Sequence, residues 1–260
     1  MIAQYDLSGV WDFSMVQMPK NKLPDFEDTI SLPGTTSLAK KGKPNLACET
    51  GFLTDAYAFE GQAWYRKQVY IKPELVGNPL KLTLERTRLT TLWINGKKVG
   101  SCDSLCTPHI YDITAFVDKP LVEIVVLVEN CNYPTKGGHL TSQDTQSNWN
   151  GITGEIKLEV FHQVYVEDIQ AYPNAAEKNV TLTMMLHGAK TAQLMIEGSA
   201  LEEDDQEHFI PMFQKQISAD ENGLATITIP LGEEIFLWSE YHPTLYVLRY
   251  TVCLLYTSPS

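Results

Sequence analysis

Apolar and polar residues alternate along most of this chain with a period of two, the signature of strands with one face buried. The runs are rich in Val, Ile, Thr, Tyr and Trp and are broken by Gly, Pro and Asn. They predict strands over Val10–Val16, Thr29–Leu32, Ala63–Ile71, Leu80–Leu84, Thr91–Ile94, Lys97–Ser101, His109–Ile113, Val122–Glu129 and Glu155–Phe161. A second series follows over Val164–Ala171, Val180–Leu186, Gln193–Ile196, Gln214–Ile217, Ala225–Ile229 and Leu245–Val252. Helical periodicity is nearly absent. The dipeptide Asn95-Gly96 between two strand-like runs predicts a type I′ hairpin, whose two central residues both need positive φ.

The first series has the size of a jelly-roll sandwich, and the second the strand spacing of an immunoglobulin-like one. The expected fold is therefore all-β. Residues 1–162 form the jelly roll and residues 163–252 the immunoglobulin-like sandwich, incomplete at its last strand. No Gly/Ser-rich linker separates them. Trp11, Trp64 and Trp93 fall inside strands and are expected to pack between sheets. Trp64 and Tyr65 are adjacent and point to opposite faces, so one core takes only one of them.

Composition narrows the chemistry. In 260 residues the formal net charge is −12, without the clustered Lys and Arg of a phosphate-binding face, so nucleic acid is not an expected partner. No apolar run reaches the ~20 residues of a membrane span, and no membrane partner is expected. The start, MIAQYDLSGVWDF, has no basic region leading into an apolar core. A cytoplasmic location is expected unless a leader is missing. Among five cysteines, Cys102 and Cys106 form a C-x3-C pair without a matching second pair. Reduced thiols are therefore expected rather than zinc, and neither metal nor cofactor is assigned. The acidic run Leu201–His208 lacks calcium-loop spacing and reads as a solvated loop.

The stretch HLTSQDTQSNWNGITGEIKL, His139–Leu158, stands apart. Gln, Asp, Asn and Trp crowd into a segment almost without aliphatic side chains. Amides and carboxylates hydrogen-bond sugar hydroxyls, and an indole stacks on the apolar face of a pyranose. Asp144, Gln146, Asn148 and Trp149 are thus candidate sugar contacts. The first three could instead satisfy loop backbone, and Trp149 could be a buried wedge. Tyr57, in the loop before the AWYRK strand, is a further candidate. Asn150-Gly151 is expected to make a tight turn.

YDLSGVWDF, ISLPGT, FEGQAWYRKQVYI, LWINGKKVG, HIYDIT, NWNGITGEIKL and LWSEYHPTLYVL occur in that order from Tyr5 to Leu248. The series resembles the N-terminal part of family 2 glycoside hydrolases, the group of β-galactosidases, β-glucuronidases and β-mannosidases. The resemblance implies a jelly-roll sugar-binding domain, then an immunoglobulin-like domain, then a catalytic (β/α)8 barrel that this sequence lacks and that would be its partner in forming the site. Retaining cleavage needs two carboxyl groups about 5–5.5 Å apart, and the family takes both from the barrel. Glu49, Asp55, Glu60, Glu85 and Glu129 lack the family's catalytic context, so no catalytic residue is assigned.

In the family, the loop before the last jelly-roll strand reaches the sugar. Several members place an aspartate six residues before the Gly of a Gly-Ile pair. That position is Thr145 here, with Asp144 one step further, while Asn148 matches an Asn of glucuronidase-like members. The ending CLLYTSPS, Cys253–Ser260, departs from the family and can be encoded by a sequence resembling a sequencing-library transposon adaptor. It is expected to be a non-native tail. The resemblance implies the N-terminal fragment of a glycosidase acting on a carbohydrate substrate. A free-standing two-domain carbohydrate-binding protein and a structural β module stay open beside it.

Overall fold

The computed structural model describes residues 1–47, 49–202, 209–233 and 235–255. The chain forms two compact units, one ending at His162 and the other starting at Gln163. The first contains β1 (Ala3–Asp6), β2 (Gly9–Ser14), β3 (Asp28–Leu32), β4 (Gly34–Thr35), β5 (Lys43–Pro44), β6 (Tyr57–Ala58) and β7 (Gln62–Tyr70). It continues with β8 (Leu80–Leu84), β9 (Leu89–Ile94), β10 (Lys97–Cys102), β11 (His109–Asp112), β12 (Leu121–Glu129), β13 (Gly151–Ile152) and β14 (Ile156–Val160). A four-stranded sheet, β1-β14-β8-β11, and a six-stranded sheet, β10-β9-β12-β7-β2-β3, make the sandwich. Leu82 and Leu158 of the first sheet join Trp11, Phe13, Tyr65, Leu92 and Val126 of the second in one core. The hairpin at Asn95-Gly96 is as the sequence predicts, with φ of 50° and 77°.

Trp64 and Trp93 do not join that core. Alternation along β7 and β9 sends Tyr65, Leu92 and Ile94 inward and turns both indoles to the other face of the six-stranded sheet. There they pack at 5.3 Å between ring centroids, with Val125 and Leu127. Met18, Leu23 and Phe26, from the connection between β2 and β3, cover them. Trp64 Nε1 donates to Val16 O at 3.1 Å. The sheet is therefore buried on both faces along its centre, and Trp64 and Tyr65 are both fully buried. Period two reveals that two residues face opposite ways; it does not reveal that a connection folds back over the outer face.

The second unit contains β15 (Tyr165–Asn174), β16 (Asn179–His187), β17 (Gln193–Glu202), β18 (Phe209–Ser218), β19 (Leu224–Pro230) and β20 (Tyr246–Leu255). Two three-stranded sheets, β15-β16-β19 and β18-β17-β20, enclose Leu182, Met184, Ile196 and Ile227. The protein is thus all-β, with a large sandwich followed by a small one. Cys253–Leu255, expected to begin a foreign tail, prolong β20 opposite Met195, Leu194 and Gln193. Leu254 packs on the core. Residues 256–260, and 203–208 of the acidic run, lie outside the described residues.

Candidate functional site

The segment between β12 and β13 has almost no aliphatic side chain to bury, so hydrogen bonds must hold it. Arg88, one residue before β9, supplies four of them. Its Nε donates to Trp149 O at 3.2 Å, Nη1 to Leu140 O at 2.7 Å, and Nη2 to Ser147 O and Gln146 Oε1, both at 3.3 Å. The guanidinium lies 4.2 Å from the Trp149 ring centroid and 5.7 Å from that of Tyr133. The residue is 2% exposed. Burial pulls its pKa below the usual guanidinium value, opposed by Tyr133 and Asp55. Burial also pushes the Tyr133 hydroxyl up to about 12.

A second set of bonds closes the base of the loop. Asn130 Nδ2 donates to Asn148 O at 2.8 Å and to Phe59 O at 2.7 Å. Asn148 Nδ2 returns a bond to Asn130 O at 3.0 Å, and its Oδ1 accepts from Tyr133 OH at 2.9 Å. Asn150, fully buried, donates to Val128 O and accepts from Tyr65 OH, both at 3.0 Å. Asn150-Gly151 is therefore not the tight turn expected. Gly151 opens β13, which pairs with β4, and Asn150 is a polar plug in the core.

Two open clefts flank the loop. One, of about 570 Å³, is lined by Asn148, Gln143, Asp55, Glu60, Asn45 and Phe59 among others. The other, of about 500 Å³, is lined by Trp149, Gln146, Arg86, Arg88, Thr35 and Thr153 among others. The five candidates do not converge on one point. Asn148 lines the first cleft, Gln146 and half-buried Trp149 line the second. Asp144 is exposed near the loop tip, bonded to Ser142 Oγ at 3.3 Å. Tyr57 is half-buried in β6, beside Ala58 of the first cleft.

The amide of Gln146 is engaged at both ends. Oε1 accepts from Arg88 and from Trp149 Nε1 at 3.1 Å, while Nε2 donates to His139 O at 3.3 Å. Asn148 keeps one N–H and one lone pair beyond the bonds above. Sequence reasoning missed Arg88, Asn130, Tyr133 and the role of Asn150. A cation at the mouth of the apolar run LTTLWI was the available signal for Arg88.

His109 buttresses the second cleft. Its Nε2 lies 2.7 Å from Ser104 O, so that nitrogen carries the proton, and Nδ1 accepts from Thr90 Oγ1 at 2.6 Å. Tyr111 OH, 2.7 Å from the same oxygen, completes the chain. Leu105 and Cys106, next to the anchored carbonyl, line the cleft. Burial holds the His109 pKa below its ordinary 6.5, with Ser104 O and Asp103 opposing. Below about 6.5 the unfolded chain then binds a proton that the folded one refuses, so stability falls as pH drops toward the folded value. Each unit of depression is worth about 1.4 kcal/mol. Urea unfolding from pH 7.5 to 5 should show this loss in the parent and a smaller one in His109→Gln. A folded-state imidazole titrating at or above 6.5 by NMR would contradict it.

No family profile matches the chain. It is 21% identical to the beta-galactosidase large subunit of Lactobacillus acidophilus, over 93% of this chain and 42% of that protein. To the beta-galactosidase large subunit of Leuconostoc lactis it is 23% identical, over 95% of this chain and 43% of that protein. The chain thus spans less than half the length of these curated relatives. Among solved structures, a beta-glucuronidase from glycoside hydrolase family 2 superposes with TM-score 0.71 at 15% identity, over 96% of this chain and 28% of its own. A family 2 member from Bacteroides cellulosilyticus superposes with TM-score 0.68 at 17% identity, over 96% of this chain and 33% of its own. The fold is shared with the N-terminal portion of such proteins.

Proposed function

We propose that this chain is the N-terminal, non-catalytic portion of a family 2 glycoside hydrolase, with β-galactosidase-like action on O-glycosidic bonds. On this reading residues 1–162 are its jelly-roll sugar-binding domain and the unit from Gln163 its immunoglobulin-like domain. The observation that carries the reading is the loop Leu140–Asn150, polar in composition yet fixed by buried Arg88 and by the Asn130–Asn148 pair. A loop held this firmly while presenting a half-buried indole, amides and a carboxylate is preorganised for sugar hydroxyls.

This portion supplies one wall of the pocket. Asn148 offers hydrogen bonds on the side of the first cleft, and Trp149 an apolar platform on the side of the second. Asp144 at the loop tip and Tyr57 beside the first cleft are outlying contacts, and Gln146 acts mainly by holding the indole N–H. The acid/base and nucleophilic carboxyl groups come from the barrel that follows in the whole protein. They protonate the leaving oxygen and attack the anomeric carbon.

The test compares this chain with the product of the uninterrupted gene on 4-nitrophenyl β-galactoside, β-glucuronide and β-mannoside. The short chain is expected to release no nitrophenol and the long one to turn over. Trp149→Ala in the long protein should lower kcat/KM about tenfold or more. Turnover by the short chain, or a stop codon soon after residue 252, would favour a free-standing binding or structural protein instead.

A further inference from the structure

The connection from β19 to β20 differs from the rest of the chain in what it leaves uncovered. Leu237, Trp238, Tyr241 and Leu245 are 50%, 63%, 82% and 55% exposed. The other four tryptophans of the chain are buried or half-buried. Single exposed apolar side chains are ordinary, but these four fall within one short loop and make a patch. The loop is bonded to itself. Ser239 N donates to His242 O at 2.9 Å, and His242 N donates back to Ser239 O at 3.2 Å and Oγ at 3.1 Å. Thr244 N donates to His242 O at 2.8 Å, and Phe236 N to Tyr246 OH at 2.9 Å. Pro243 stiffens the return. The rings are thus held out toward solvent by a turn whose backbone groups are already engaged.

We propose that residues 237–245 are a docking knob, anchored by Trp238 and Tyr241, for an apolar recess in the polypeptide that follows this chain in the longer protein. The proposal rests on the reading of this chain as an N-terminal portion. Area argues for that occupant. At these exposures the four side chains offer on the order of 500 Å². A stable dimer takes about 800 Å² from each partner, so a second copy of this chain finds too little contact here. A domain of the same polypeptide needs less, because linkage holds it at an effective concentration of about a millimolar. Interfaces between domains of one chain start at about 600 Å². A glycan needs hydrogen-bonding groups that converge beside the rings. The N–H and C=O groups of Ser239 and His242 already bond one another, and none of the four apolar residues lines either cleft described above. This chain covers 42% and 43% of the two beta-galactosidase large subunits it matches. In proteins of that length more than half of the polypeptide remains to supply the recess. Trp and Tyr are among the side chains that most often anchor such contacts.

The experiment oxidises exposed rings with hydroxyl radicals and reads each site by mass spectrometry. It compares the 260-residue chain with the product of the uninterrupted gene. Trp238 and Tyr241 should react about fivefold or more slowly in the long protein than in the short one, because an anchor sits where water is excluded. Fully buried Trp64 should be slow in both. Trp238→Ser should leave the urea midpoint of the short chain unchanged and lower the melting temperature of the long protein. Equal oxidation of Trp238 and Tyr241 in the two proteins overturns the proposal. So does a loss from Trp238→Ser in the short chain, or none in the long protein. Short-chain rates that fall with rising protein concentration assign a second copy, and rates that fall on adding cellohexaose assign a glycan; either overturns it. Turnover of the nitrophenyl glycosides is read separately. Turnover with equal oxidation defeats the docking and leaves the proposed function. Protection without turnover leaves the docking and defeats the glycosidase reading.

Discussion

Replacing Arg88 by methionine is expected to release the loop Leu140–Trp149 and to lower the stability of the first unit by about 2–4 kcal/mol. Methionine fills much of the same volume but donates nothing. Three backbone carbonyls, of Leu140, Ser147 and Trp149, lose this donor together, and the Gln146 amide oxygen keeps only Trp149 Nε1. Bonds from a charged donor are worth about 1.5–3 kcal/mol each. The net loss is smaller than their sum, because a freed loop rehydrates its carbonyls. Arg88→Lys should recover only part of the loss, since an ammonium cannot span three carbonyls with a planar fork. Urea unfolding gives the stability, and amide exchange over residues 140–149 gives the local effect. If Arg88→Met keeps the parent's midpoint and its protection at these amides, Arg88 does not hold the loop. If the loop is the pocket wall proposed above, the same variant in the long protein should also raise KM for a glycoside.

Most strands were legible from alternation, because one face lies in a core and side chains alternate along the ladder, while β9 and β12, buried on both faces, showed instead as continuous apolar runs. The short pairs β4, β5, β6 and β13 were not, since two residues carry no period. Nor was β1, whose AQYD pairs at the sheet edge with β14 and has no fully buried residue. The loop was recognisable by its composition, Trp149 by the chemistry of its indole and Asn148 by resemblance. What organises it was not, because Arg88 stands before β9 and Asn130 and Tyr133 at the start of the β12–β13 connection, all outside the polar stretch that drew notice. Long-range partners of a polar loop leave no periodic trace. The same holds for Trp64 and Trp93, where the pattern named the face but not its cover.

Gly151→Ala should be the most damaging single change near the site, at about 3–5 kcal/mol. Gly151 has φ 147°, a conformation that L side chains rarely adopt. It also lies against β4, where an added Cβ would stand 2.2 Å from Gly34 O and 2.9 Å from Thr35 Cα. Both are backbone atoms, so no rotamer change relieves the contact and β13 must move away from β4. Neighbouring Asn150 would move with it, straining its bonds to Tyr65 OH and Val128 O and the bond from Thr36 N to its carbonyl. These groups are fully or nearly fully buried, so each bond left unmade costs about 1–3 kcal/mol. Gly96→Asn provides the comparison, because Gly96 also has positive φ, 77°, but nothing lies within 4 Å of its missing Cβ. Asparagine tolerates that conformation, and a loss of about 1 kcal/mol or less is expected. Urea midpoints of the two variants compare a positive-φ glycine in open space with one whose φ and close approach both exclude a side chain. Equal losses would mean that neither the φ of 147° nor the approach of β4 makes glycine necessary at 151. A much larger loss at 151 marks the β4–β13 contact as a point where the chain admits glycine alone.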